Sequence, residues 1–450
     1  EDTPFLASHL PLTRDATAVK LDPLLDAPLT DKFKGIPSGT APFPLGEIAG
    51  KRWNVLNETL PLPLPVIKRA ALAHNSRWMQ AFVELTGVRI APHGKTTMSP
   101  QLFAQQLADG AWGMTFATTH QVRIAREFGV ARIIMANQLL GRVNIDYILD
   151  ELAHDPAFEF FCLVDSVAGV ELLATAARAK NIGRPLCVLL EAGAAGARCG
   201  VRNIEAAREV ANAVKQHEPY LSLRGVEGFE GSVSGPTPAE TLVRIAAFGD
   251  FIVQIARECE QAALFGGDTI LLSAGGSAYY DVVVQRLSQA GLSMPSEIVI
   301  RSGCYLTHDS IFYRNLHELL QTRFPKAAQL GSGLQPALEV WAYVQSRPEP
   351  TRVILTCGKR DISFDLHLPV LEQWYCPRHH THPQPIPVEH ALVGLNDQHA
   401  MCNVPSDSPL AVGDMVSLGI SHPCTTFDRW QWLPLVDEEY NVVEAIRTFF

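Results

Sequence analysis

The sequence predicts an α/β fold: a (β/α)8 barrel of the TIM type followed by a smaller C-terminal β domain. Three observations predict it. Short apolar, β-rich runs alternate with longer amphipathic helical patterns from residue 88 onward, eight such units follow one another, and the beat stops near residue 325. Continuous apolar strands separated by helices mean a parallel sheet covered by helices, and eight units over roughly 240 residues match the size of such a barrel. A doubly wound open sheet is the competing fold. No GxGxxG run opens the first unit, which counts against a dinucleotide site there.

Taken in order, residues 1–60 are Pro-rich and weakly periodic and read as an N-terminal extension. A strand-like PLPVIKR (63–69) and a helix through AALAHNSRWMQAFVELTG lead into the barrel, placed at 61–325 with that strand preceding it. The eight β runs are VRIAPH (88–93), MTFATT (114–119), RIIMANQ (132–138), FEFFCLVDS (158–166), PLCVLLEAG (185–193), RGVEGFEG (224–231), TILLSAGGS (269–277) and EIVIRSGCY (297–305). VAGVELLATAARAKN, NIEAAREVANAVKQHE and the long AETLVRIAAFGDFIVQIARECEQAALF supply helices between them. Residues 326–450 hold short strand candidates, among them TRVILTCG, DMVSLGI and RWQWLPLVD, between Pro- and His-rich turns. They read as a separate β domain.

Composition narrows the function classes. With 47% hydrophobic and 19% charged residues, the chain is an enzyme-like globular one rather than a disordered one. A net charge of −10 disfavours nucleic acid and a polybasic membrane contact. No apolar run approaches the ~18 residues of a membrane helix, and the acidic start EDTPFLASHL lacks the pattern of a signal peptide. Nine scattered cysteines, with no CxxC pair, fit a reducing compartment. The expectation is a cytoplasmic protein.

Function in a barrel sits on the loops after the strand C-termini. Lys95 lies just past the first strand. The ordinary reading is a solvated loop lysine, but at a barrel mouth with apolar walls an amine can be desolvated and become a useful base or nucleophile. The Gly-rich ends of strands 7 and 8, SAGGS (273–277) and RSGCY (301–305), leave backbone N–H groups free to face a phosphate, or merely turn tightly into helices. Strand 5 leads into EAGAAGARCGV, which places Arg198 where it can steer an anion or sit on the surface. His422 and Cys424, two apart in what reads as a strand, point to one face and suit zinc with open coordination positions. A buried cysteine beside a turn histidine is the other reading. His379, His380 and His382 read as a solvated loop.

These residues together resemble the fold-type III pyridoxal phosphate enzymes, in the branch of D-serine dehydratase (D-serine deaminase) and D-threonine aldolase, with alanine racemase more distant. The resemblance covers roughly residues 60–440. The family's Pro-His-x-Lys-Thr stands at Pro92-His93-Gly94-Lys95-Thr96 and implies that Lys95 is the Schiff-base lysine. Arg-x-Gly at Arg198-Cys199-Gly200 implies that Arg198 contacts the cofactor's phenolic oxygen. The phosphate loops map to Ser273, Gly275, Gly276 and Ser277 and to Gly303, Cys304 and Tyr305. His-x-Cys maps the zinc pair to His422 and Cys424. Four places depart from the pattern: Ala91 for a common arginine, Thr97 for a frequent histidine, EGFEGS (227–232) without the usual tyrosine and histidine, and NDQH (396–399) for Glu-Glu-His. The resemblance implies β-elimination of D-serine or a related D-3-hydroxy amino acid to a 2-oxo acid and ammonia. Its alternatives are a metal-dependent retro-aldol lyase, then a racemase, and, from another class, a non-catalytic pyridoxal phosphate carrier. It also implies a homodimer whose β domain reaches over the neighbouring barrel.

Overall fold

A computed structural model describes residues 19–450. Its centre is a parallel sheet of eight strands, labelled here β1 (Arg89–Ile90), β2 (Met114–Phe116), β3 (Arg132–Gln138), β4 (Glu159–Val164), β5 (Leu186–Ala192), β6 (Leu221–Gly228), β7 (Ile270–Ser273) and β8 (Ser296–Ile300). The strands follow one another in chain order and β8 returns to pair with β1. Between β1 and β2 the wall is closed by Trp112 N–H donating to Ile90 O and Thr115 N–H donating to Pro92 O, both at 2.8 Å. All eight β runs of the sequence are present. The sixth begins earlier than read, at Leu221, because Leu221 and Leu223 extend its apolar alternation inward.

Side chains fill the barrel. Ala91, Ile134, Phe161, Leu163, Leu189, Leu271 and Val299 pack together inside it, so the interior is a core and chemistry is confined to the strand ends. The outer helices start where the sequence supplies caps. Thr118, Ser166, Asn203 and Thr237 each accept a backbone N–H from the first turn of the helix they precede. No helix among the described residues is long and apolar enough to cross a membrane.

The second unit is antiparallel and built around the long strand Leu338–Glu349, which pairs with Met415–Gly419 on one side and with Arg352–Leu355 further along. The strand read as preceding the barrel, Leu64–Lys68, belongs to this second sheet. It pairs antiparallel with Leu338–Trp341 and parallel with Leu435–Val436. Its burial on every residue but the last explains the continuous apolar run. The described part of the N-terminal extension packs on the same unit: Lys34 forms an ion pair with Asp361 at 2.5 Å, and Trp432 donates its indole N–H to Lys34 O at 2.8 Å.

The two units are stitched beside the mouth of the barrel. Ser310 N–H, after β8, donates to Ile420 O at 2.9 Å. Gln101, in the first barrel helix, donates to Ala445 O at 3.1 Å and accepts from Arg447 N–H at 3.2 Å. The stitch at Ile420 brings the segment carrying His422 and Cys424 over the ends of β1 and β8.

Candidate active site

One pocket at the C-terminal end of the barrel gathers Lys95, Arg198, Gly276, Ser277, Gly303, Cys304, His422 and Cys424. Residues some three hundred apart in the chain therefore meet at one place. Ser273, Gly275 and Tyr305, which the sequence placed in the same phosphate-binding group, do not line it.

Lys95 sits in a short 3-10 turn, Gly94–Thr96, immediately after β1. The turn needs its glycine: a Cβ on Gly94 would overlap the rings of Phe116 and Phe103. The side chain is half-buried, and its amine has no hydrogen-bond or ion-pair partner among the described residues. A lysine held at a pocket wall without a carboxylate is available for chemistry. Beside it, His93 keeps a buried Nδ1 with no partner. Burial first, then the charges of Lys95, Arg301 and Arg198, hold its imidazole well below the usual histidine range, hence neutral.

The predicted phosphate loops divide in two. Glu230, fully buried, accepts Gly275 N–H at 2.9 Å and Gly276 N–H at 2.7 Å with its two carboxylate oxygens. The two glycine N–H groups of the Gly-rich end thus already have an internal acceptor, which corrects the expectation for Gly275 and for the backbone of Gly276. Ser273 Oγ is also engaged, donating to Val299 O at 2.8 Å and accepting from Arg301 at 2.6 Å. Tyr305 is buried with its hydroxyl against Gln106 Nε2 at 3.3 Å. What remains free is the outer part. The N–H groups of Ser277 and Gly303 have no acceptor among the described residues, and Ser277 Oγ accepts Cys304 N–H at 3.2 Å.

Glu230 escaped the sequence reading because EGFEGS was judged by the residues it lacks. Replacing Glu230 by alanine strips two buried donors of their acceptor and should lower stability by about 2–4 kcal/mol. Urea unfolding measures it, and an unchanged midpoint would show that the loop does not depend on this carboxylate.

Arg301 was missed too. Buried at the end of β8, it pairs with Glu227 Oε2 at 2.7 Å, and its Nε has no partner. Glu191, at the end of β5, lies close by. Burial, then the charge of Glu227, pushes its carboxyl up, while Gln138 opposes this by hydrogen bonding. Arg198 is exposed at the rim, its guanidinium 4.4 Å over the Phe229 ring. Phe229 thus supports the arginine from the strand-6 loop.

The histidine and cysteine come together, but not on a strand. The ladder of Met415–Gly419 stops before them, and Pro423, at φ −59°, opens a short helix over Cys424–Phe427. Proline has no N–H for a ladder, so the strand that ended at Gly419 does not resume and the chain turns into the helix. His422 Nδ1 lies 2.5 Å from Asp365 Oδ2, whose other oxygen accepts Thr425 Oγ1 at 2.6 Å. Asp365 thereby fixes the ring and leaves Nε2 as its ligating atom. Burial alone would lower the His422 pKa, but the hydrogen bonds and charges of Cys424 and Asp365 outweigh it and raise it to about 9. Hydrogen bonding from Cys304, and then from His422, draws the Cys424 thiol well below its ordinary range despite burial. A cysteine sulfur and a histidine ring oriented by a carboxylate are donors of the kind a zinc-type ion takes once their protons are displaced.

The family model for the alanine racemase N-terminal domain matches residues 67–283, and the model for a putative serine dehydratase domain matches residues 337–436. The chain belongs to the fold-type III pyridoxal phosphate family. It is similar to a D-threonine aldolase of an Arthrobacter species, 25% identical over 391 residues that cover 85% of this chain and 90% of that protein. A 3-hydroxy-D-aspartate aldolase of Paracoccus denitrificans is 24% identical over 68% of this chain and 74% of its own. Among solved structures, a D-threo-3-hydroxyaspartate dehydratase of a Delftia species superposes with a TM-score of 0.68 at 20% identity, covering 88% of this chain and 99% of that one. The D-threonine aldolase of Filomicrobium marinum gives 0.66 at 20% identity, over 87% and 95%. These likenesses establish the barrel and its appended β unit as one shared fold.

Proposed function

We propose that this protein is a pyridoxal phosphate- and divalent metal-dependent lyase that dehydrates D-serine or a related D-3-hydroxy amino acid to a 2-oxo acid and ammonia. The observation that carries the reading is the meeting of the unpaired Lys95 amine and the His422–Cys424 pair in one pocket. The residues present fit the cofactor. Lys95 supplies the amine that would hold its carbonyl carbon, the free N–H groups of Ser277 and Gly303 with the Ser277 hydroxyl would hold its phosphate, and Arg198 its phenolic oxygen. His422 and Cys424 would hold the metal.

When bound, pyridoxal phosphate supplies an electron sink for Cα, and a divalent metal supplies a Lewis acid for the β-hydroxyl. The rest falls to the chain. Lys95 would take the proton from Cα through Nζ, an amine with no hydrogen-bond or ion-pair partner among the described residues. His93, held neutral, adds no positive charge that would repel a protonated lysine afterwards. An ion held by His422 and Cys424 would supply the Lewis acid for the hydroxyl that leaves. Lost hydroxide and the later uptake of water balance, so one amino acid gives one 2-oxo acid and one ammonia.

Elimination is favoured over retro-aldol cleavage by the metal donors. Variants of a D-threo-3-hydroxyaspartate dehydratase have been solved with a histidine, or the cysteine two positions later, replaced by alanine, the latter in a metal-free form. His422 and Cys424 have that same spacing. The aldolase reading stands second, on the curated aldolases to which the chain is similar. The test is incubation of cofactor-loaded protein with D-serine, D-threo-3-hydroxyaspartate and, as control, L-serine. The proposal requires 2-oxo acid and ammonia in equal amounts from a D substrate and none from L-serine; glycine and an aldehyde from the hydroxyaspartate would replace it by the aldolase. The reading also makes the protein a homodimer in solution, which a light-scattering mass of one chain with full activity would refute.

A further inference from the structure

We infer that Cys304 is a third ligand of the metal, so that the ion is held by two sulfurs and one nitrogen rather than by His422 and Cys424 alone; this rests on the metal reading above. Cys304 comes from the loop after β8 and Cys424 from the β unit, 120 residues later, yet their Sγ atoms lie 3.9 Å apart. Two sulfurs each ~2.3 Å from a tetrahedral ion are ~3.8 Å from one another. The thiols are therefore already spaced as a pair sharing one ion, whereas a disulfide would need them at ~2.0 Å. Both are free and both line the pocket that holds Lys95.

The surroundings fit the same role. Thr96 Oγ1 lies 3.6 Å from the Cys424 sulfur and 4.0 Å from that of Cys304. The loop position was read from sequence as part of the phosphate-binding group. The structure gives this residue a second contact: its N–H donates to Ser277 Oγ, and its Sγ lies against that of Cys424. His422, Cys304 and Cys424 do not all lie within 4.8 Å of one another, a condition met among the described residues by Asp165, Glu191 and the exposed Cys199. Binding must therefore draw His422 inward, while the sulfur pair needs almost no change. Two thiolates and one imidazole leave one tetrahedral position open, which is what a catalytic ion needs to receive a hydroxyl.

Cobalt replaces zinc as the probe, since each thiolate bound to it contributes near-ultraviolet charge-transfer absorbance. Cofactor-loaded protein is stripped with a chelator, kept reduced with a phosphine, and titrated with cobalt chloride. The wild type should show the intensity of two thiolates, and Cys304→Ser and Cys424→Ser should each show about half, in keeping with one sulfur per ligand. Undiminished absorbance in Cys304→Ser, with loss in Cys424→Ser, overturns the third ligand and leaves the metal reading intact. A wild type that binds no cobalt and gains no such band overturns the metal reading itself. Alkylation of the unmutated protein guards against a misfolded variant: added zinc should protect Cys304 and Cys424 alike, and protection of Cys424 alone overturns the inference.

Discussion

Replacing Lys95 by alanine should give a folded protein that no longer retains pyridoxal phosphate covalently and loses turnover by at least ~10²–10⁴-fold, the usual worth of one positioned proton-transfer group. The expectation follows from the isolation of this amine. Lys95 stands just after β1 in a turn whose shape requires Gly94, with no carboxylate paired to it among the described residues. No other lysine lines the pocket. Borohydride reduction followed by peptide mass analysis reads the outcome independently of activity. In the wild type the added mass should lie on the peptide containing Lys95; finding it elsewhere, or unchanged in the variant, would remove the cofactor assignment.

The second large effect concerns the metal. Removing it with a chelator, or replacing Cys424 by alanine, should reduce dehydration of D-serine by at least ~10²-fold, since hydroxide is a poor leaving group without a Lewis acid. The cofactor should remain on Lys95 in both cases, because Cys424 touches the lysine turn only at Thr96 Oγ1 and Lys95 itself has no hydrogen bond or ion pair to either residue. β-Chloro-D-alanine should be largely spared, as chloride departs without that help. Should both substrates suffer equally, the ion is structural or these two residues do not hold it.

The barrel was legible because its signal is repeated. Eight apolar runs at helix-long intervals allow few folds, and RIIMANQ at 132–138 matches β3 residue for residue. Lys95 was legible because an amine directly after such a run lies at a barrel mouth by topology alone. Partnerships between distant segments were not. Leu64–Lys68 reads like any buried strand, and only its pairing with Leu338–Trp341 assigns it to the second sheet. SAGGS has the look of an anion cradle, yet nothing local to it says that Glu230, 45 residues before Gly275, takes the N–H groups of its two glycines. The His422–Cys424 pair was found for its chemistry while its geometry was misread, because Pro423 between them was given too little weight against the apolar run before it. Arg301 and Asp365 act through partners in other elements, Glu227 and His422, and carry no spacing that would mark them out.

The most direct test of the account is the fate of the α-hydrogen. D-Threonine deuterated at Cα should be converted to 2-oxobutanoate and ammonia, with the deuterium removed from carbon by Lys95 and lost to water, and more slowly than the protonated substrate. Glycine that still carries the deuterium, formed together with acetaldehyde, would contradict it, because then the bond broken first is Cα–Cβ and Lys95 does not act on Cα–H.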